Sequence, residues 1–478
     1  MPAARFSLPD PVVAQAAPVW EDLRRELGVP DAFTPEAQAE AAASAAAPRL
    51  PDLDRTDIPL VTIDPKGSRD LDQAVAIERR AGRGAGYRVH YAIADVAAFV
   101  APAGPLDAEA HRRGVTLYGP DRNVGVHPDV LSTGAASLLP DRLRPALLWT
   151  LDVDATGELV ATDVRRARVR SRRQYSYPEV QALLDGDRAT DDLVLLREVG
   201  RLRQERAAAR GAVHLPTPEQ EVEVDPAGGP PRLVFRAPLP TEGWNAEISL
   251  LTGVAAAGLM TAGRVGLLRT LPAPDPAEVA SVRRSALALG LPWPQQAPYA
   301  AVISALDPEV PEAAALLTFA GRLLRGAAYT AFDGDVPEHP VHSAVAAPYA
   351  HCTAPLRRLA DRYVGEICLA LAAGAAVPQW ARAALPALPA EMASANQRAA
   401  ALERAVVDLA EAVVLAPRVG EVFDAVVVES GERHGVVQLR DPAVRARCDS
   451  PGLPLGQPVR VRLVEADPVA RQVRFQPA

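Results

Sequence analysis

The sequence predicts an α+β chain: a mixed α/β region preceded by a short helical segment and followed by a small β-barrel. Three observations carry this. Residues 57 to about 415 alternate apolar strand-like runs with helical ones. Residues before about 50 keep helical spacing alone. After Arg418 the texture changes to short strands cut by Gly, Pro and Asp turns. Regions 1–52, 53–416 and 417–478 follow as the expected domains.

In the first region Asp10-Pro11 opens a helix, with Val13, Ala16, Val19, Trp20 and Leu23 at helical spacing. Thr34-Pro35 caps a second over Glu36 to Ala47. Such short helices suit either a helix-turn-helix unit or a brace packed on the next region. In the central region Tyr87 to Val100 starts as a strand and Leu106 to Arg113 is a short helix. Leu147–Val153 and Leu159–Arg170 read as strands paired across a turn at Gly157. Gly243 to Gly263, part of Pro308 to Tyr329, and Met392 to Val414 read as helices. In the last region Val422–Val428, Gly435–Leu439, Val459–Val464 and Gln472–Phe475 are dense enough to close a small barrel.

At 478 residues and 49% apolar composition the chain can bury a sizeable core, which excludes wholesale disorder. There is no basic-then-apolar start, and the longest apolar candidate, Ile367 to Val377, is short for a bilayer. No membrane association and a cytoplasmic location are the expectations. Cys352, Cys368 and Cys448 form no CxxC pair, which fits a reducing compartment and gives no zinc site. A net charge of −8 argues against nucleic acid only if the positive charge is evenly spread. It is not. In RRARVRSRR, Arg165 to Arg173, alternation puts Arg166, Arg168 and Arg170 on one strand face, suited to a phosphate backbone. A basic strand covering acidic loops would look the same.

The stretch that organises the chain is TIDPKGSRDLDQA, Thr62 to Ala74. In extended chain Asp70 and Asp72 share a side, and the Pro-Lys-Gly-Ser turn can bring Asp64 back toward them. Crowded carboxylates repel one another unless a cation sits among them, and hard cations such as magnesium prefer such oxygens. An acidic surface loop is the bland alternative. The apolar flanks, Leu60 to Ile63 and Ala74 to Ile77, oppose it, because buried acids without a partner are costly.

This stretch resembles the signature of the ribonuclease II family, a TID segment followed by a closely spaced acidic run. Asp64, Asp70 and Asp72 match the first three family aspartates, and Gln73 stands at the fourth. YAHCTAPLRRLAD, Tyr349 to Asp361, resembles the second family signature, departing at Cys352, Ala354, Leu356 and Leu359. Val419–Val428 and Leu455–Asp467 resemble the OB-fold RNA-binding domain that follows the catalytic domain in this family. The family's N-terminal cold-shock domains have no counterpart in the first 50 or so residues.

The resemblance implies a 3′-to-5′ hydrolytic exoribonuclease that degrades single-stranded RNA to nucleoside 5′-monophosphates. Magnesium (or manganese) would be held by Asp64, Asp70 and Asp72, with Gln73 a weakened fourth position. Pro355 would begin a helix whose first turn carries Arg357 and Arg358 as phosphate clamps. Tyr118 and Tyr177 match base-stacking tyrosines, although half-buried core tyrosines would serve as well. His214 lies near the place of a further stacking phenylalanine, and Glu247 occupies a family glutamate slot. Two rivals stand. One is a catalytically silent RNA-binding protein, motivated by Gln73. The other is a DxD phosphatase with Asp70 as nucleophile, which Ala74 opposes because that motif wants Thr or Val there.

Overall fold

The computed structural model describes residues 20–478 apart from 31, 83–84, 120, 217–218, 224–231, 309 and 440. The expected helix start at Asp10 lies outside these residues. Its end is seen as helical turns over 20–26, with Trp20 and Leu23 in the main core. Helix α1 (Pro35–Ala46) begins as expected, the Thr34 hydroxyl accepting from Ala37 N at 3.2 Å. Its buried Ala37 and Ala41 pack beside Leu106 and Leu131, and Glu40 accepts from Leu106 N, so the segment packs as a brace.

The central region is built on a six-stranded sheet in the order β5-β4-β3-β2-β1-β6. The strands are β1 (Val61–Asp64), β2 (Gln73–Arg80), β3 (Gly86–Ala94), β4 (Leu143–Asp154), β5 (Leu159–Arg170) and β6 (Arg173–Ser176). All neighbours are antiparallel except β1 and β6. Period-two alternation divides the sheet into unlike faces. Val75, Ile77, Tyr91, Ile93, Leu147 and Trp149 point into the main core. Ala74, Ala76, Ala92, Ala94 and Ala146 form a flat opposite face, which a thin layer holding α1 and α2 (Pro105–Arg113) can approach closely.

Helices α3 (Tyr177–Asp185), α4 (Asp191–Arg210) and α5 (Pro240–Gly263) cover the bulky face. By length and composition it is α5, rather than the Ile367–Val377 run, that could cross a bilayer. In the fold its Trp244, Ile248, Leu251, Ala256 and Met260 lie in the core. A hairpin of β7 (Glu219–Glu223) and β8 (Arg232–Arg236) precedes α5. Strands β9 (Val265–Thr270) and β10 (Ala328–Asp333) pair across an insertion of α6 (Pro276–Ala288), α7 (Tyr299–Ser304) and α8 (Pro311–Ala320). Short strands β11 (Val341–His342) and β12 (Ala347–Pro348) lead to α9 (Leu359–Ala372), α10 (Gln379–Ala384) and the long α11 (Leu388–Leu415).

The remainder is a closed barrel, β13-β14-β15-β17-β16. Its strands are β13 (Val422–Glu429), β14 (Gly435–Leu439), β15 (Arg445–Cys448), β16 (Pro458–Asp467) and β17 (Gln472–Pro477). Four match the expected strands. The fifth, β15, is not foreseen because its RARC sequence carries little apolar signal.

Candidate nucleic-acid site

The first signature spans one edge of the sheet. Strands β1 and β6 run parallel with Asp64 opposite Ser176, so Asp64 and Tyr177 leave the sheet together. The chain reverses through a turn in which Gly67 adopts φ +83°, and the Ser68 amide and hydroxyl both donate to Pro65 O at 3.1 and 2.8 Å. The next residues are strapped down. Ser137 Oγ accepts from Leu71 N at 3.0 Å and donates to Arg69 O at 2.6 Å, while Ala94 N donates to Asp72 O at 2.9 Å. Leu71 is thereby held in the core, Asp70 stays half-buried, and Asp72 is 3% exposed.

The second signature closes over this edge. Leu356 N donates to Asp72 Oδ1 at 2.7 Å, and Arg357 Nε donates to Asp72 Oδ2 at 3.1 Å. Two stretches almost three hundred residues apart thus meet on one carboxylate. Burial pushes Asp72 up to about 8, against the Arg357 charge and the Leu356 amide; Asp70 and Asp361 push it further up. The helix expected from Pro355 starts instead at Leu359, with Arg358 extended at φ −141°. The reason is local competition for donors. Asp361 accepts from Ala354 N at 2.7 Å and takes Arg358 in a bidentate pair at 2.9 and 3.0 Å, holding 354–358 as a tight loop. Arg358 is therefore neutralised within the fold. Arg357 keeps 37% of its side chain open.

Gln73 does not sit as a ligand. Its carboxamide oxygen accepts from the Tyr91 hydroxyl and its Nε2 donates to Thr353 O at 2.7 Å. Thr353 in turn shares a 2.7 Å bond with Ser249 of α5. Gln73 thus cross-links β2, β3 and the second signature. The described residues contain no group of three His, Cys, Asp or Glu able to hold a metal. With Asp72 bonded to Leu356 and Arg357, and Gln73 engaged at both ends, the expected ligand set does not fit an ion in this arrangement.

Other expected residues divide. The Tyr118 hydroxyl reaches Asp70 Oδ2 at 3.4 Å, and Asn245 Nδ2 donates to the Tyr177 hydroxyl at 3.3 Å. Tyr177 is pushed up to about 12 by burial and by the neighbouring Asp64. Both tyrosines therefore stand at the acidic edge. Glu247 is turned to other business: Arg203 and Arg210 of α4 are the charges that act on it, while burial raises it. His214 lies elsewhere, its amide bonded to Ser304 Oγ of α7.

The arginine-rich strand needs correction. Arg166 is held by Asp95 at 2.5 Å and by Glu366, and Arg168 reaches Asp54 Oδ2 at 3.3 Å. Only Arg170 of that expected face is exposed. The edge strand takes its carboxylates from the segment after β3 (Asp95), from α9 (Glu366) and from the segment before β1 (Asp54), so the face is largely neutralised by the protein itself. Sequence reasoning missed Asp361, Tyr91, Thr353 and Ser249. Asp361 had a signal, a carboxylate three residues after Arg358 inside the quoted signature; Tyr91 and Ser249 had none.

Residues 53–373 match the RNB domain family, and residues 421–478 match the RNase II-type exonuclease C-terminal S1 domain. The chain belongs to the RNB domain family. It is 30% identical over 323 residues to the exosome complex exonuclease RRP44 homolog A of Arabidopsis thaliana, covering 65% of this chain and 34% of that protein. This chain thus aligns with about a third of that relative's length. The fold resembles Mycoplasma genitalium RNase R, solved with ribose-methylated single-stranded RNA, at TM-score 0.84 and 17% identity, over 96% of this chain and 77% of that one. It also resembles yeast Ssd1, described as a pseudonuclease, at TM-score 0.67 and 18% identity, over 90% and 53%. The closed five-stranded barrel is the OB-like module of this RNB-domain chain.

Proposed function

We propose that this RNB-domain chain is an exoribonuclease that takes the 3′ end of single-stranded RNA and releases nucleoside 5′-monophosphates. The observation that supports it most is the junction at Asp72, where a buried carboxylate fixes the Arg357 guanidinium beside the acidic edge. Arg357 Nε is committed to Asp72, which leaves its two Nη groups to donate to a phosphate in fixed orientation. That is the requirement for neutralising charge that develops on a phosphodiester. Tyr118 and Tyr177 flank the same edge and offer ring faces to terminal bases without regard to sequence. RNB nucleases generally depend on a divalent metal, and magnesium or manganese is the ion this reading would take; the Gln73 arrangement gives such an ion a poor seat.

Gln73 also favours a second reading, in which the chain binds RNA and does not cut it. One assay separates them. Single-stranded RNA, labelled at its 5′ end in one sample and at its 3′ end in another, is incubated with the protein in magnesium, in manganese and in EDTA. A ladder shortening from the 3′ end with mononucleotide release in either metal supports the first reading. Intact RNA in all three, with binding retained, supports the second.

A further inference from the structure

Beyond Asp361 and Arg358 lies a cation that the site described so far does not use. Arg269, near the end of β9, is half-buried with its guanidinium 4.7 Å over the Tyr329 ring. Its backbone amide donates to Tyr349 O at 2.7 Å, which ties β9 to the first residue of the second signature. Among the described residues its guanidinium makes no hydrogen bond and no salt bridge. Burial works against its charge, and so does Arg358, also a cation, while the Tyr329 and Tyr349 side chains favour it; the net direction is down. The nearby imidazoles do not help: burial and Arg269 itself push His342 down to about 4, and His351, bonded to the Tyr329 hydroxyl at 2.7 Å, is driven well below its ordinary value. Asp361, the carboxylate that acts on Tyr329 and Tyr349, is held in the bidentate pair with Arg358. Half-buried charges in proteins are normally paired, because desolvation otherwise costs them more than packing returns. A guanidinium stacked on an aromatic ring and left without an anion is set up to take one.

We infer that Arg269 binds a phosphodiester of the RNA that lies beyond the one at Arg357, with Tyr329 holding the guanidinium flat beneath it. The inference rests on the RNA-binding reading above and adds a second phosphate site to it. Arg269 is a positioning residue here: it holds the strand in register and does not touch the scissile bond.

The test is fluorescence anisotropy of the full chain with a labelled single-stranded RNA in EDTA, titrated across salt concentrations. Arg269→Gln and Arg269→Met are made together, the latter keeping an apolar stem over Tyr329 so that one neutral variant folds. Either neutral variant should weaken binding about tenfold at low salt and reduce the slope of log K against log salt by about one. Arg269→Lys should keep the slope. Unchanged affinity and slope in a folded neutral variant, with wild type binding RNA, would show that Arg269 only packs on Tyr329. Absence of RNA binding by wild type would bring down the exoribonuclease reading, and this site with it.

Discussion

An amide cannot replace a carboxylate without changing which way its hydrogen bonds run. Gln73 accepts from Tyr91 and donates to Thr353 O, which an ionised carboxylate, having acceptors alone, cannot do. Gln73→Asp, one methylene shorter and without an N–H, would draw back from both partners and leave the Tyr91 hydroxyl and the Thr353 carbonyl without them. The variant should lose roughly 1–3 kcal/mol of stability in EDTA, the cost of a broken buried hydrogen bond. It also adds a negative oxygen beside Asp72, so magnesium should raise its melting temperature more than it raises that of wild type. Equal magnesium shifts in the two proteins would show that position 73 does not see the ion. The companion change at Asp72 is cleaner. Asp72→Asn keeps an acceptor for Leu356 N but sets an NH2 against Arg357 Nε, freeing that guanidinium. RNA cleavage should fall by at least about a hundredfold, the scale of one lost transition-state donor, while RNA affinity stays within about threefold. Near-normal turnover in Asp72→Asn would remove Asp72 and Arg357 from the chemistry.

The second signature reaches Asp72 because helix α5 lets it come close. Ala350 N donates to Gly253 O at 3.1 Å, and a Cβ at Gly253 would lie 2.2 Å from Tyr349 Cε2 and 2.5 Å from Ala350 O. Neither the strapped backbone nor the buried Tyr349 ring can yield cheaply. Gly253→Ala should therefore destabilise by about 1–3 kcal/mol through overpacking and weaken RNA cleavage by moving Arg357. The control sits on the same helix. Gly258 has nothing within 4 Å of its would-be Cβ, so Gly258→Ala should stabilise by about 0.5–1 kcal/mol. Urea melts of both variants decide it; a harmless Gly253→Ala would mean the loop is not seated on α5. At this scale the sequence was a good guide to elements and a poor one to their partners. The strands flanking the acids, α1 with its Thr34 cap, α11 and four barrel strands were legible because period and capping are local signals. The loop at 354–358 was not, because Asp72, 284 residues away, takes the Leu356 amide, and a helix rule gives no weight to Asp361 capturing Ala354 N and Arg358. For the same reason the two readings of the β5 arginines stayed open in the sequence: Asp95 and Glu366, which pair with Arg166, lie 71 and 200 residues away.

On the scale of the whole molecule the barrel is not an appendage. Phe423, Val427, Leu463 and Phe475 belong to the same continuous core as Met392 and Leu409 of α11 and Trp149 of the sheet. Removing residues 418–478 would expose that core, so a truncated chain is a poor probe of what the barrel does. A single buried acid marks the junction. Glu411 of α11, 3% exposed, accepts from Gln220 Nε2 of β7 at 2.8 Å and from Arg445 N of β15 at 3.0 Å, joining helix, hairpin and barrel. Burial pushes Glu411 up to about 7 from its ordinary 4.5, although both hydrogen bonds favour its charged form. Between those two values the folded chain holds a proton that the unfolded chain has released, so stability falls as pH rises through the window and levels off above it. Wild type should lose about 2–3 kcal/mol more between pH 5 and pH 8 than Glu411→Gln, because a tenfold change in proton affinity is worth about 1.4 kcal/mol. The comparison of the two proteins removes what other buried acids, Asp72 among them, contribute to the same slope. Urea midpoints at the two pH values measure it, and identical pH dependence in wild type and Glu411→Gln would show that the junction keeps Glu411 ionised in the folded state.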